Sequence, residues 1–400
     1  MRVAVIGVGY VGLPTALLLA RAGHDVLAVD IDARVVAELT AGRVHHEPIA
    51  LQPLLDEEAV RSRLRAVTAP EPCDVFLIAV PTPVDASGRA ADLSMVEAAA
   101  QSIAPCLRAG NLVIVESTVP PGTCQDVVAT ILSEGSGLDV PGDVHLAHAP
   151  ERVFPEDMLR EIVENQRIVG GLDTASTAAA VDFYGGFVHG RIHETDACTA
   201  ELAKLLENTY RDVNIALANE IATLAGGFGV DPFVAINLAN CHPRVSILEP
   251  GIGVGGHCIP VDPWFLLAGQ EGRARLIPTA RTVNDAVPER VASRILDATS
   301  VAAPRIVLLG ASYKPGIGDT RGSPALEVAH HLRVGGATVT HLDPLAAGFA
   351  DTDLVEAATG ADTVAVLVPH RQLIDELESR RDEIRAAMRN PVILQIRELI

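Results

Sequence analysis

Short runs of consecutive apolar, β-branched residues recur through the first half of the chain: VAVIG (3–7), DVLAVD (25–30), DVFLIAV (74–80) and NLVIVES (111–117). Stretches with apolar residues every three or four positions separate them. Strands apolar on both faces, alternating with helices, predict a parallel sheet with crossover helices. HLAHAPER (145–152) and QRIVGG (166–171) extend the strand set. From about residue 199 the pattern changes. Leu202, Leu205, Leu206, Ile215, Ile221 and Leu224 recur through 199–225 without Gly or Pro, which predicts one long helix. Helical patterning continues to about residue 300, interrupted by a Gly/Pro stretch at 249–263. Strand–helix alternation resumes at RIVLLG (305–310), runs through ATVTHLD (337–343) and TVAVLVP (363–369), and closes with VILQI (392–396). The expected fold class is α/β, with two doubly wound domains (1–195 and 301–400) joined by a central helical region (196–300).

Composition narrows the class. Four hundred residues exceed one ordinary core, and 48% hydrophobic residues exclude a disordered chain. No apolar stretch approaches the roughly 20 residues a spanning helix needs. The N-terminus lacks the pattern of a secretory signal, so no membrane partner and a cytoplasmic location are expected. A formal charge of −20 repels phosphate backbones and argues against nucleic acid. Six scattered cysteines (Cys73, Cys106, Cys124, Cys198, Cys241 and Cys258) form no CxxC pair. Neither a metal site nor a disulfide framework is expected, and most of the six read as small buried hydrophobes. The chain has 29 arginines but only two lysines, Lys204 and Lys314. A lysine kept against that bias points to a need for a titratable amine.

Four segments carry candidate chemistry. Gly7, Gly9 and Gly12, with Tyr10 and Val11 between them, follow the first strand and open a helix, and Asp30 ends the second strand. This is a Rossmann-like arrangement: a glycine turn for a pyrophosphate and an acid for the ribose hydroxyls of NAD rather than NADP. Thr82 and Thr118 stand on loops after two further strands, where hydroxyls can reach cofactor or substrate. Lys204, Asn208 and Arg211 are spaced i, i+4, i+7, with Asn214 beyond, and share a helix face suited to an anion or a developing oxyanion. Finally, PGIGVGGHCIPVDPW (250–264) sets Cys258 in a glycine-rich turn just before a helix, where a thiolate would be favoured. Asp262 reads there as an N-cap, and His257 as structural.

The blocks GVGYVGLP, PTP, ESTVPPGT, APERV, AELAKLLENTYRDVNIALANE, GIGVGGHCIPVDPWF and YKPGIGDTRGSPA occur in one order along nearly the whole chain. Together they resemble the UDP-glucose/GDP-mannose dehydrogenase family. HPRVSILEPG (242–251), followed by GGHCIPVDPWF, is most similar to the branch acting on UDP-N-acetyl-D-mannosamine, with the UDP-N-acetylglucosamine branch close behind. The resemblance implies a four-electron oxidation of a UDP-sugar C6 hydroxyl to a uronate, with two successive NAD molecules. It implies that Cys258 passes through a thiohemiacetal and a thioester. Lys204 and Asn208 would serve the oxyanion, and Glu151, Asp262 and Thr118 would handle protons and water. Arg152, Val153, Arg211, Gly255, Tyr313 and Lys314 would contact the UDP-sugar, as would His242 and Arg244, possibly from the partner of a homodimer. Arg321 would approach the cofactor. Two departures are visible. Gly318 replaces a commonly acidic residue, and the closing strand lacks the usual Asp and basic residues.

Three rivals remain open at this point: a UDP-N-acetylglucosamine or UDP-glucose dehydrogenase, a single-step β-hydroxyacid dehydrogenase, and a non-catalytic nucleotide-sugar-binding protein.

Overall fold

A computed structural model of the chain describes residues 1–44, 51–85, 88–153, 157–270, 272–349 and 352–400. They form two compact units: Met1–Glu207 with Trp264–Ala268, and Asn208–Pro263 with Gly269–Ile400.

In the first unit, β1 (Arg2–Ile6), β2 (Asp25–Val29), β3 (Leu64–Val67), β4 (Val75–Ile78), β5 (Leu112–Val115), β6 (His145–His148), β7 (Arg167–Gly171) and β8 (Ile192–Asp196) make one sheet. Their order is β3-β2-β1-β4-β5-β6-β7-β8. The strands from β1 to β6 are parallel. Every residue of β4 and β5 is buried, as their unbroken apolar runs require. Alternate residues feed two cores: Val3 and Val5 face one, Ala4 and Ile6 the other. Helices therefore cover both faces. The strand order reverses between β1 and β4, where an open α/β sheet forms its ligand crevice.

The structure corrects the strand reading in three places. β7 runs antiparallel to β6, and β8 runs parallel to β7. An apolar run reads alike in either direction, so its pattern carries no polarity. β3 and β8 were not anticipated: each is an edge strand, and IHETD in β8 has almost no apolar signal. β6 stops at His148, which leaves Ala149 to Val153 in a loop.

The long helix spans Ala197–Phe228, 32 residues, and passes from one unit into the other. Asp196 starts it by accepting from Thr199 N (2.8 Å) and Thr199 Oγ1 (2.6 Å). It outruns the predicted 199–225 because Gly226 and Gly227 remain helical, and the chain turns only at Gly229, with φ +67°.

In the second unit, β9 (Arg305–Leu309), β10 (Thr338–Leu342), β11 (Thr363–Val366) and β12 (Val392–Leu394) form a parallel sheet in the order β10-β9-β11-β12. Only the first half of VILQI is strand; a short helix, Ile396–Leu399, follows. A buried polar network joins the long helix to the helix Leu276–Asp285. Asp212 accepts from Arg281 Nη1 (2.6 Å) and Asn284 Nδ2 (2.9 Å). Asn219 donates to Asn284 Oδ1 (3.1 Å) and accepts from Gly251 N (2.9 Å). That last bond anchors the start of the glycine-rich turn. Among the described residues, no single helix is long and apolar enough to cross a membrane.

Candidate active site

The three glycines after β1 have three different duties. Gly7 has φ +85°, and a Cβ on it would lie 2.9 Å from the Ala79 carbonyl oxygen. A Cβ on Gly12 would lie 1.8 Å from the Gly7 carbonyl oxygen, so only glycine lets the helix Gly12–Arg21 begin there. A Cβ on Gly9 would meet nothing within 4 Å. Its bareness serves no packing and leaves room for a ligand backbone. Val11, at the N-cap, supplies no side-chain bond, while Leu13 N is taken by Gly9 O (3.1 Å) and Pro14 has no N–H, so the backbone of Gly9–Gly12 is what the turn offers a ligand. Asp30 accepts from Val8 N (3.1 Å) and Asp32 N (2.9 Å), which fixes its carboxylate beside the turn. This cradle fits the pyrophosphate and ribose of NAD. Tyr10 is exposed on the same turn.

The carboxyl ends of β4, β5 and β6 deliver half-buried Thr82, half-buried Thr118 and the Glu151–Val153 loop to the same edge of the sheet. Ser117, which pattern reading passed over, ties two of these loops together by donating to Val80 O (2.7 Å). Glu151 is not free to act alone. Its Oε2 pairs with Arg167 Nη2 at 2.7 Å, and its Oε1 accepts from Arg152 N at 2.7 Å. Arg167 also reaches Glu116 (3.4 Å) and lies over the Tyr184 ring, 4.4 Å from its centroid. Tyr184 Oη donates to Glu116 at 2.7 Å. Burial pushes the Glu116 carboxyl up to about 7, with Arg167 pulling against it. The signal for this network was present: charges at the ends of buried strands need partners. Arg152 itself turns to Glu207, 2.6 Å away.

Lys204 stands on the long helix one turn after buried Glu201. Glu201 accepts from Gly122 N (2.6 Å) and Cys124 N (2.8 Å). His148, fully buried at the end of β6, has its pKa pushed down to about 3 by burial, and the Lys204 charge adds to the effect. Neither of its ring nitrogens makes a full hydrogen bond, and the Val115 carbonyl offers only a weak contact.

In the second unit, the structure brings two predicted residues together: Asn208 Nδ2 donates to Asp262 Oδ2 at 2.6 Å. Asp262 is 3% exposed and is the first residue of the helix Asp262–Leu267, one place later than the N-cap reading. Its N–H donates to Cys258 O (2.9 Å), which closes the turn on which exposed Cys258 stands. Cys198 and Cys241 are exposed as well. Only Cys73 and Cys124 are fully buried, which corrects the expectation that most of the six are interior. The glycines of this turn serve packing more than ligand access. A Cβ on Gly255 would lie 2.5 Å from Pro324 Cδ and 2.9 Å from Tyr313 Cβ, and one on Gly256 would lie 3.2 Å from the Tyr313 ring. Tyr313 and Lys314 thus share a loop that backs the cysteine turn.

Burial, and then the Arg321 charge, lower the pKa of His257. Arg321 is paired with Asp319 at 2.6 Å. Gly318 has a steric reason, since a Cβ there would lie 2.1 Å from the Leu345 carbonyl oxygen. His242 and Arg244 are exposed, with Arg244 N donating to His242 Nδ1 at 3.3 Å. Arg211 is exposed on the long helix. In the first unit, Arg89 lies over the Trp264 ring, 5.3 Å from its centroid.

Residues 1–188 match the NAD binding domain of the UDP-glucose/GDP-mannose dehydrogenase family, 198–286 its central domain, and 307–400 its UDP binding domain. The chain is 43% identical over 397 residues to an NDP-N-acetyl-D-galactosaminuronic acid dehydrogenase of Ralstonia nicotianae, covering 94% of each. It is 41% identical over 403 residues to a UDP-N-acetyl-D-mannosamine dehydrogenase of Methanocaldococcus jannaschii, covering 100% of this chain and 92% of that one. A solved structure of a UDP-D-ManNAc dehydrogenase from Pyrococcus horikoshii superposes with a TM-score of 0.93 at 39% identity, covering 100% of this chain and 96% of that one.

Proposed function

Because this chain belongs to the UDP-glucose/GDP-mannose dehydrogenase family and is an NAD-dependent UDP-sugar dehydrogenase, we propose that it oxidises the C6 hydroxyl of UDP-N-acetyl-D-mannosamine fully to the uronate. The observation that carries the reading is the Asn208–Asp262 bond behind the Cys258 turn. It holds a buried carboxylate one helical turn from a solvent-facing thiol.

Gly7 to Gly12, Asp30, Thr82 and Arg321 would hold NAD, which takes up one hydride in each of the two oxidations. Lys204 and Asn208 hold the C6 oxygen as its proton leaves. The Cys258 thiolate then adds to the C6 aldehyde, its sulfur forming the bond to carbon while the carbonyl oxygen gains a proton, and a thiohemiacetal results. Loss of a second hydride and of that hydroxyl proton leaves a thioester. Water, oriented by Asp262, Thr118 and Glu151, displaces the sulfur and gives carboxylate and free thiol. The balance is one alcohol, two NAD and one water giving one carboxylate, two NADH and three protons. Arg152, Val153, Arg211, Gly255, Tyr313 and Lys314, with His242 and Arg244, bind the UDP-sugar.

The Ralstonia relative supports a second reading, in which the substrate is the N-acetylgalactosamine nucleotide, which differs from the mannosamine one at C2 and C4. Substitution of Cys258 by Ser, with NADH counted against UDP-N-acetylmannosamine, UDP-N-acetylgalactosamine, UDP-N-acetylglucosamine and UDP-glucose, tests both. The wild type should give two NADH per uronate with its own sugar. The serine variant should stop at a single turnover or at the aldehyde. Full turnover by the variant would reject the covalent role, and one NADH per product would favour a single-step dehydrogenase. Absence of NADH across the panel would favour a non-catalytic binding protein. A cytoplasmic homodimer serving polysaccharide synthesis completes the proposal. Tyr210, Leu217, Leu224 and Phe228, spaced by sevens and a four along the long helix, present an exposed apolar stripe for a second copy.

A further inference from the structure

The segment 117–124 carries Thr118 between two anchors. At one end, Ser117 donates to Val80 O. At the other, the N–H groups of Gly122 and Cys124 converge on the two carboxylate oxygens of Glu201, at 2.6 and 2.8 Å. Pro120 and Pro121 between them have no N–H to offer, and Thr123 spends both its N–H and its hydroxyl on Pro120 O. Glu201 is 1% exposed and 79 residues from Gly122 in sequence. It also sits one helical turn before Lys204. Cys124, His148 and Glu201 bring sulfur, nitrogen and oxygen within 4.8 Å of one another. A cation there would compete with donors that already occupy the carboxylate, and it would face the Lys204 ammonium, so the cluster reads as a clamp and not as a metal centre.

We propose that Glu201 is a positioning residue for the dehydrogenase reaction, fixing the Thr118 loop against the helical turn that presents Lys204. This rests on the reaction proposed above. Glu201→Gln keeps the shape but has one acceptor oxygen where two N–H groups need one each. One buried donor then meets an amide N–H, and such a loss corresponds to about tenfold in rate.

The test is single-turnover and steady-state NADH formation with UDP-N-acetylmannosamine, for Glu201→Gln alone and combined with Thr118→Ala. In the wild-type background kcat should fall about tenfold, with KM for NAD and sugar changing less than about threefold. In the Thr118→Ala background the same change should fall below about twofold, because the loop then has no hydroxyl left to place. Equal losses in both backgrounds, or a loss confined to KM, would overturn the role. Should the amide variant fail to fold, Glu201→Asp, too short to span both N–H groups, is read by the same cycle. If the wild type itself makes no NADH with any UDP-sugar of the panel, the proposed reaction falls, and the positioning role falls with it.

Discussion

Two glycines three residues apart, Gly9 and Gly12, separate packing from binding. Gly9→Ala adds a methyl to open space, and Gly12→Ala drives one into the Gly7 carbonyl. The first should leave the melting temperature near wild type while raising KM for NAD about tenfold or more. The second should lose at least about 2 kcal/mol of stability, seen as a lowered denaturation midpoint. Buried titratable groups give a second prediction at this scale. His148 ordinarily titrates at 6.5 but is held neutral down to about 3. Its contribution is intact above 6.5 and is lost as pH falls through that window, because the unfolded chain takes up the proton first. Glu116 works oppositely: raised from 4.5 to about 7, it favours folding below 4.5 and loses that advantage as pH rises towards 7. His148→Leu should therefore flatten the acid limb of stability against pH, by on the order of 3 kcal/mol between pH 6.5 and 4. Thermal melts across that range would show whether the two curves converge instead.

At the scale of elements, the long helix is held by polar groups the apolar pattern does not reveal. Arg281→Met would strand the fully buried Asp212 carboxylate and should cost about 3–5 kcal/mol. A guanidinium titration reads it, and an unchanged midpoint would mean that Asn284 alone satisfies Asp212. The same contrast explains what the sequence made legible. β4 and β5 were readable because burial on both faces forces unbroken apolar runs. β8 was not, because an edge strand half in water can be spelled IHETD. The glycines flanking Cys258 were visible as a cluster. Their contacts with Tyr313 and Pro324, more than fifty residues away in the chain, follow only from the fold. Likewise Asn208 and Asp262 stand in separate sequence motifs, whereas their mutual bond is a tertiary fact.

For the whole molecule, the apolar stripe along the long helix makes assembly testable. Leu217→Glu with Leu224→Glu should convert a dimer to monomers in sedimentation, since both side chains are about half exposed in the single chain. Persistence of the dimer would place the interface elsewhere. The two sheets also show one topology put to two uses. Asp30, after β2, is half-buried beside the glycine turn and keeps its outer side for a ligand. Asp343, after β10, is fully enclosed: its carboxylate is taken by Ala311 N, Ser312 N and His370, which hold it well below the usual carboxylate range despite its burial. The second domain thus keeps the acid at the end of the second strand but spends its carboxylate on the fold.

The contact of Arg89 with Trp264 has a practical consequence. Trp264 is the chain's sole tryptophan, and it lies on the short helix that Asp262 begins. The indole is therefore an intrinsic fluorophore six residues after Cys258 in the chain, stacked under a guanidinium whose withdrawal would alter its emission. Ligand-driven motion of that helix can be watched optically in the unlabelled protein, without any turnover.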